Sequence, residues 1–113
     1  MLGLFTSKNL YDIWASECEC LEILDFRADS EVQKTRIPGT NNLNPLAVSS
    51  DVFLDNENKL FVLIEAPFDF LREISKNPGI DNVFTLEQGL NSWIMAGYPT
   101  APLIFQAEVK KHG

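Results

Sequence analysis

Apolar residues in this chain come in short bursts separated by polar, Gly and Pro punctuation, and one burst stands out. Leu60-Phe61-Val62-Leu63-Ile64 is a continuous apolar run of strand length, rich in β-branched and aromatic residues, as expected of a strand buried on both faces. Glu65, Ala66 and Pro67 end it, and Phe68 to Lys76 reads as a helix. A strand that turns directly into a helix is half of a βαβ unit, and in open α/β sheets the ligand crevice lies beyond the carboxyl ends of the strands. The pattern therefore places any site at residues 65–70. That segment holds no Cys, Ser, Thr, His, Lys or Gly, the residues on which such crevices most often rely for chemistry.

The remaining bursts complete an alternating series. Ser7 is a plausible helix cap, and Leu10, Ile13 and Trp14 recur at helical spacing, which predicts an amphipathic helix over 8–17. Residues 20–26 read as a strand buried except at Glu22, residues 29–34 as a turn or two of helix, and Ile37-Pro38-Gly39-Thr40 as a tight turn. A brief strand is expected over 41–44 and a short helix over 45–53, opened by Pro45 at its first position. Asn77-Pro78-Gly79 stops the helix that follows the dominant strand, residues 82–86 form the last strand, and residues 88–97 form a helix with Gly97 as a left-handed cap and Pro99 beyond it. Strands alternating with short helices predict an α/β fold with a parallel sheet covered on both sides.

Composition narrows the candidates. With 113 residues, 45% of them hydrophobic, the chain suffices for one core and one soluble domain. The net charge is −7, and Glu17, Glu19, Glu22, Asp25, Asp29 and Glu31 crowd a region in which only Arg27 opposes them. Such a surface repels phosphates, which argues against nucleic acid and membrane surfaces as partners. Cys18 and Cys20 are two residues apart, and an extended backbone places them poorly for bonding to each other, so the sequence predicts unbonded thiols and a reducing, cytoplasmic setting. A Cys-x-Cys metal site needs further ligands and the sole His is His112, so neither a metal nor a cofactor is expected. No segment reads as a leader or a membrane span.

Two separated motifs then converge. Ile23-Leu24-Asp25-Phe26-Arg27, followed by Glu31 and by Arg36-Ile37-Pro38-Gly39-Thr40-Asn41-Asn42-Leu43, resembles the first signature of rhodanese-like domains, an apolar strand ending in D-x-R and then H-I-P-G-A-x-N. Asn82-Val83-Phe84-Thr85-Leu86-Glu87-Gln88-Gly89-Leu90-Asn91-Ser92-Trp93, with Gly97, Tyr98 and Pro99, resembles the second, N-V-x-x-L-x-G-G-x-x-x-W-x-x-x-G-x-P. The resemblance covers roughly residues 4–100. It implies a single domain over 1–100 with a five-stranded, mostly parallel sheet flanked by short helices on both faces, and a C-terminal extension or tail over 101–113. It also implies that active relatives carry a Cys after the fourth strand, which takes up sulfur as a persulfide, and a cradle of backbone amides ending in a basic residue, which holds the anionic sulfur.

This chain departs from the pattern at that place. Matching strand ends puts Ile64 or Glu65 where the nucleophile belongs, and the segment after it carries Ala66, a Pro67 without an N–H, bulky Phe68 and Phe70, and Asp69, whose carboxylate repels anions. Arg72 is either a remnant of the cradle's base or the partner of a nearby acid. Asp25 and Arg27 are expected to brace the strand ends as an ion pair, and Arg36 to be a solvated charge. Phe68 and Phe70 either form an exposed apolar knob or fold inward to fill the vacated space. These features predict a vestigial site at Glu65, Ala66, Pro67, Phe68, Asp69, Phe70 and Arg72, and a non-catalytic module for binding or regulation. Its partner would be another protein or a fused or neighbouring domain, with a homodimer through the C-terminal segment as a further option. The alternative is an atypical sulfurtransferase or thiol redox protein that uses Cys18 or Cys20.

Overall fold

The apolar run at 60–64 becomes β4 (Leu60–Ile64), and its period-two alternation divides the interior in two. Val62 and Ile64 enter one core with Leu10, Ile23, Ile37, Leu86, Leu90 and Trp93, while Phe61 and Leu63 enter the other with Leu24, Phe26, Phe53, Ile74 and Val83. Each of these four strand side chains is almost fully buried, which stabilises the fold by about 2 kcal/mol apiece. The computed structural model describes residues 2–101. Its other strands are β1 (Gly3–Phe5), β2 (Leu21–Asp25), β3 (Asn41–Asn42) and β5 (Val83–Leu86). The sheet order is β1-β5-β4-β2-β3, and every pairing is parallel. The helices are α1 (Ser7–Ala15), α2 (Asp29–Lys34), α3 (Asp51–Leu54), α4 (Phe68–Ser75) and α5 (Gly89–Met95), with a 3-10 turn at Pro45–Ala47. Leu10 of α1 and Trp93 of α5 belong to the first core, Phe53 of α3 and Ile74 of α4 to the second, so helices cover both faces of the sheet.

Several boundaries differ from those read in the sequence. Thr6, not Ser7, caps α1: its hydroxyl accepts the Asn9 N–H at 3.1 Å while Asn9 Oδ1 accepts the Thr6 N–H. Ser7 lies buried inside the first turn, its hydroxyl against that of Ser92. The strand β1 has no counterpart among the predicted elements because three residues are too few to show a period. Its Gly3 is required by space, since a Cβ there would lie 2.5 Å from the ring of Phe84, which stacks on Phe5 at 4.6 Å. The single helix expected over 45–53 is two pieces, the 3-10 turn and α3, separated by extended backbone at Val48.

The cysteine prediction is overturned. Because β2 starts at Leu21, Cys18 and Cys20 lie in the turn after α1, where Glu17 adopts a φ of 57°, and their Cα atoms are 5.2 Å apart and joined by a disulfide. In an extended strand residues two apart share a face with their Cα atoms about 6.6 Å apart; the turn draws these two closer than that. The argument from unbonded thiols to a reducing compartment falls with it. Among the described residues no helix is long and apolar enough to cross a membrane. Ala101 is buried, and its N–H donates to the Arg36 carbonyl at 2.8 Å. The tail and the dimer contact expected of it, from residue 102 onward, lie outside the described residues.

Two buried polar groups fix the loops around the sheet. Asn82 Nδ2 donates to the carbonyls of Phe53, Asn56 and Lys59 at 3.2, 3.0 and 3.0 Å, tying the approach to β4 to the start of β5. Asp25, fully buried at the end of β2, accepts from Nε and Nη2 of Arg27, the latter at 2.8 Å, and from the Arg27 N–H at 3.0 Å. Arg27 Nη2 donates onward to the Thr35 carbonyl at 2.6 Å, so the pair fastens the carboxyl end of β2 to the end of α2. The Asn82→Asp variant turns a donating amide into a carboxylate facing three carbonyls and is expected to lose about 3 kcal/mol of stability, read as a lower denaturant midpoint at unchanged slope. Arg27→Met leaves the Asp25 carboxylate buried without its guanidinium, with an expected loss of about 3–5 kcal/mol that a second change, Asp25→Leu, largely restores. Unchanged midpoints would contradict both roles.

Candidate functional site

A parallel sheet collects the ends of its strands at one edge, and here that edge collects carboxylates. Glu65 follows β4 and Glu87 follows β5; both are exposed. Asp69 and Glu73 project from α4, which begins three residues after Glu65. Of the cations near these carboxylates, Arg27 is committed to Asp25, Lys76 pairs with Glu73 at 3.1 Å, and Arg72 lies over the ring of Phe68 with its Cζ 4.9 Å from the centroid. The result is a crevice region with excess negative charge, poorly suited to holding an anion.

The backbone at the strand-to-helix switch is unusual in its own right. Ile64 is fully buried in the first core and cannot face a substrate. Glu65 takes a left-handed φ of 51°, a conformation a side chain occupies at a cost of about 1–3 kcal/mol and one that turns the following chain sharply into the helix. Its side chain lies against the entry to α5, where Gly89 has a φ of 63° and a Cβ would come within 3.1 Å of Glu65 Cγ. Ala66 packs on the second core. Pro67 caps α4 with no side-chain hydrogen bond and contributes no N–H, so the amides after Glu65 form a broken series.

The two phenylalanines of the segment part company, an arrangement intermediate between knob and plug. Phe70 turns inward, its ring centroid 5.0 Å from Phe26 and 6.4 Å from Phe53. Phe68 stays outside with 69% of its surface exposed. Across the edge, Leu46 in the 3-10 turn is 94% exposed, a residue the sequence reading assigned to a helix without a role. No local pattern distinguishes Leu46 from a core leucine of a short helix, so its exposure was not legible in the sequence. A groove of ≈ 380 Å³ runs between Pro45, Leu46 and Val48 on one side and Pro67, Phe70 and Ile74 on the other, with Asp69 and Glu73 at its rim. A second groove of ≈ 450 Å³, bordered by Leu2, Phe68, Leu71 and Thr85, lies on the far side of α4.

Elsewhere the expected solvation of Arg36 does not hold. The residue is half-buried, and its Nε is shielded from solvent without a hydrogen-bond partner among the described residues. Cys18 and Cys20 stand before the first residue of β2, at the amino edge, and the site residues stand after the last residues of β2, β4 and β5, so the structure does not bring the two groups together. No group of three or more His, Cys, Asp or Glu side chains that could hold a metal occurs among the described residues.

No family model matches the chain, and no curated protein matches it significantly. Solved structures do. A protein of unknown function from Rhodopseudomonas palustris, described as a possible tyrosine phosphatase, is 20% identical and superposes with a TM-score of 0.69 over 88% of this chain and 85% of its own. A rhodanese-related protein from Thermoplasma volcanium is 20% identical, with a TM-score of 0.64 over 88% and 98%. A single-domain sulfurtransferase from Saccharomyces cerevisiae is 15% identical, with a TM-score of 0.62 over 88% and 97%. Likeness at such identities speaks to architecture and not to activity. With five parallel strands, helices on both faces and these structural neighbours, the chain has the rhodanese-like fold.

Proposed function

We propose that this protein is a rhodanese-like domain that has given up sulfur transfer and binds another protein at the carboxyl edge of its sheet. The observation that supports the reading is the strand-to-helix switch after β4, where the resemblance leads one to expect a thiol and the chain has buried Ile64, the carboxylate of Glu65 and then Pro67, which interrupts the amides that follow. Persulfide chemistry needs a sulfur nucleophile and a cradle of donors for the anion it carries. The only cysteines of the chain are at the other end of the sheet and are bonded to each other.

The same edge supports binding. Leu46 and Phe68 display apolar surface that no described part of the chain covers, and the groove between Leu46 and Pro67 is rimmed by Asp69 and Glu73. An apolar groove with acidic side chains at its rim, flanked across α4 by exposed Phe68, suits a protein segment that offers an aliphatic or aromatic side chain beside lysines or arginines. The chain's net charge of −7 favours the same class of partner and speeds its encounter.

Two measurements test the reading. Mixed with thiosulfate and cyanide, the protein is expected to form no thiocyanate above the uncatalysed rate, and Glu65→Cys alone is expected not to restore it, because Pro67 and Asp69 remain. Thiocyanate production that disappears in Cys18→Ser or Cys20→Ser would instead establish the atypical sulfurtransferase. Panning a peptide library on the immobilised protein should enrich apolar residues next to basic ones. Leu46→Ser with Phe68→Ser should weaken the selected peptides by tenfold or more, about 1.4 kcal/mol, without lowering the melting temperature. Selected peptides that bind this variant undiminished would place recognition elsewhere.

A further inference from the structure

The disulfide between Cys18 and Cys20 does little for the fold. It closes a loop of three residues, and the stabilisation from restricting the unfolded chain falls with loop length, so this cross-link is near the minimum such a bond can give. It joins no separate elements, for both cysteines sit in the turn between α1 and β2. Backbone hydrogen bonds already hold that turn: Glu17 N–H to Trp14 O at 3.1 Å, Leu21 N–H to Cys18 O at 3.2 Å, and Leu60 N–H to Cys20 O at 2.7 Å. The last of these anchors Cys20 to the start of β4. Opening the disulfide therefore leaves two sulfurs held close together on a standing turn, which favours closing it again. Both cysteines are only half-buried and lie among exposed Ser16, Glu17 and Glu19, so a small thiol can reach them.

We propose that Cys18 and Cys20 form a reversible thiol–disulfide exchange site whose natural reactant is a thiol or disulfide carrying positive charge. The hydrogen bonding assigns roles to the two sulfurs. The Cys20 N–H donates to Cys18 Sγ at 3.2 Å, so negative charge is better supported on Cys18, which makes it the leaving group. An incoming thiolate attacks Cys20 Sγ, the Sγ–Sγ bond breaks, and Cys18 departs as a thiolate that takes a proton from water. A second thiolate attacks the outer sulfur of the mixed disulfide on Cys20 and releases the oxidised small molecule. The protein gains two electrons and two protons, and the two small thiols lose them. Run backwards, the same steps oxidise the protein.

Charge selects the reactant. Glu17 and Glu19 flank the sulfurs and make no ion pair among the described residues, and the nearest strand residue with a carboxylate, Glu22, is paired with Lys59 at 2.8 Å. The field at the turn is negative, which slows anionic reagents such as glutathione and favours cationic ones. The site lies at the amino edge of the sheet and is independent of the binding reading given above.

The test uses the full chain, reduced and then exposed to cystamine or to oxidised glutathione, with thiols blocked at intervals and counted by intact mass. Both oxidants are expected to close the Cys18–Cys20 bond in the folded protein, cystamine about tenfold faster at low ionic strength, with the difference shrinking at high salt. Glu17→Gln with Glu19→Gln should remove the preference while the bond still forms. Cys18→Ser should accumulate a mixed disulfide at Cys20 that the natural protein passes through only briefly. The proposal fails if the thiols stay open under excess oxidant until denaturant is added, or if the two oxidants react at equal rates at low salt.

Discussion

Burial of β4 on both faces is the constraint from which the rest follows. Phe61 and Leu63 serve one core and Val62 and Ile64 the other, so this strand cannot slip by a single residue without exchanging its two sets of side chains. With its register fixed against β2 and β5, the strand must end at Ile64, and the chain must leave the sheet at Glu65. The left-handed turn there and the immediate start of α4 determine what the carboxyl edge presents.

What it presents is a surplus of carboxylates beside apolar surface. The fold gathers Glu65, Glu87 and Asp69 at or near that edge, where Arg27 is held by the buried Asp25, Lys76 pairs with Glu73 and Arg72 lies over the ring of Phe68. Leu46 sits in the 3-10 turn and Phe68 at the first residue of α4, and both are left exposed there. Such surroundings disfavour an anion, and the proposed cationic, apolar protein segment rests on them. The cysteine pair, placed at the opposite edge, answers to a different set of neighbours.

Much of this architecture was legible in the sequence, and the failures have identifiable physical causes. The continuous run at 60–64, the Pro67 stop and the Gly97 cap carried strong local signals, and the structure has β4, α4 and a left-handed Gly97 in those places. The two motifs reported the fold because their residues hold loops to the sheet: Asn82 collects three carbonyls, and Asp25 with Arg27 joins β2 to the end of α2. The strand β1 escaped notice because its contribution is pairwise, a glycine under Phe84 and a stack of Phe5 on the same ring. The disulfide escaped because it depends on Cys18 and Cys20 lying in the turn before β2 and not on extended backbone, and that turn draws the two residues together. The different fates of Phe68 and Phe70 depend on the position of Phe26 and Phe53, contacts that no local pattern encodes.

The central claim, that the carboxyl edge is built for a protein segment and not for a sulfur-bearing anion, is tested most directly by backbone amide NMR of the folded protein. Thiosulfate is expected to leave the amides of residues 64–70 unmoved, whereas a short peptide pairing an aromatic residue with lysines should shift those of Leu46, Phe68 and Asp69 in a saturable way. Saturable thiosulfate shifts centred on Glu65 and Ala66, with none from the peptide, would contradict the account.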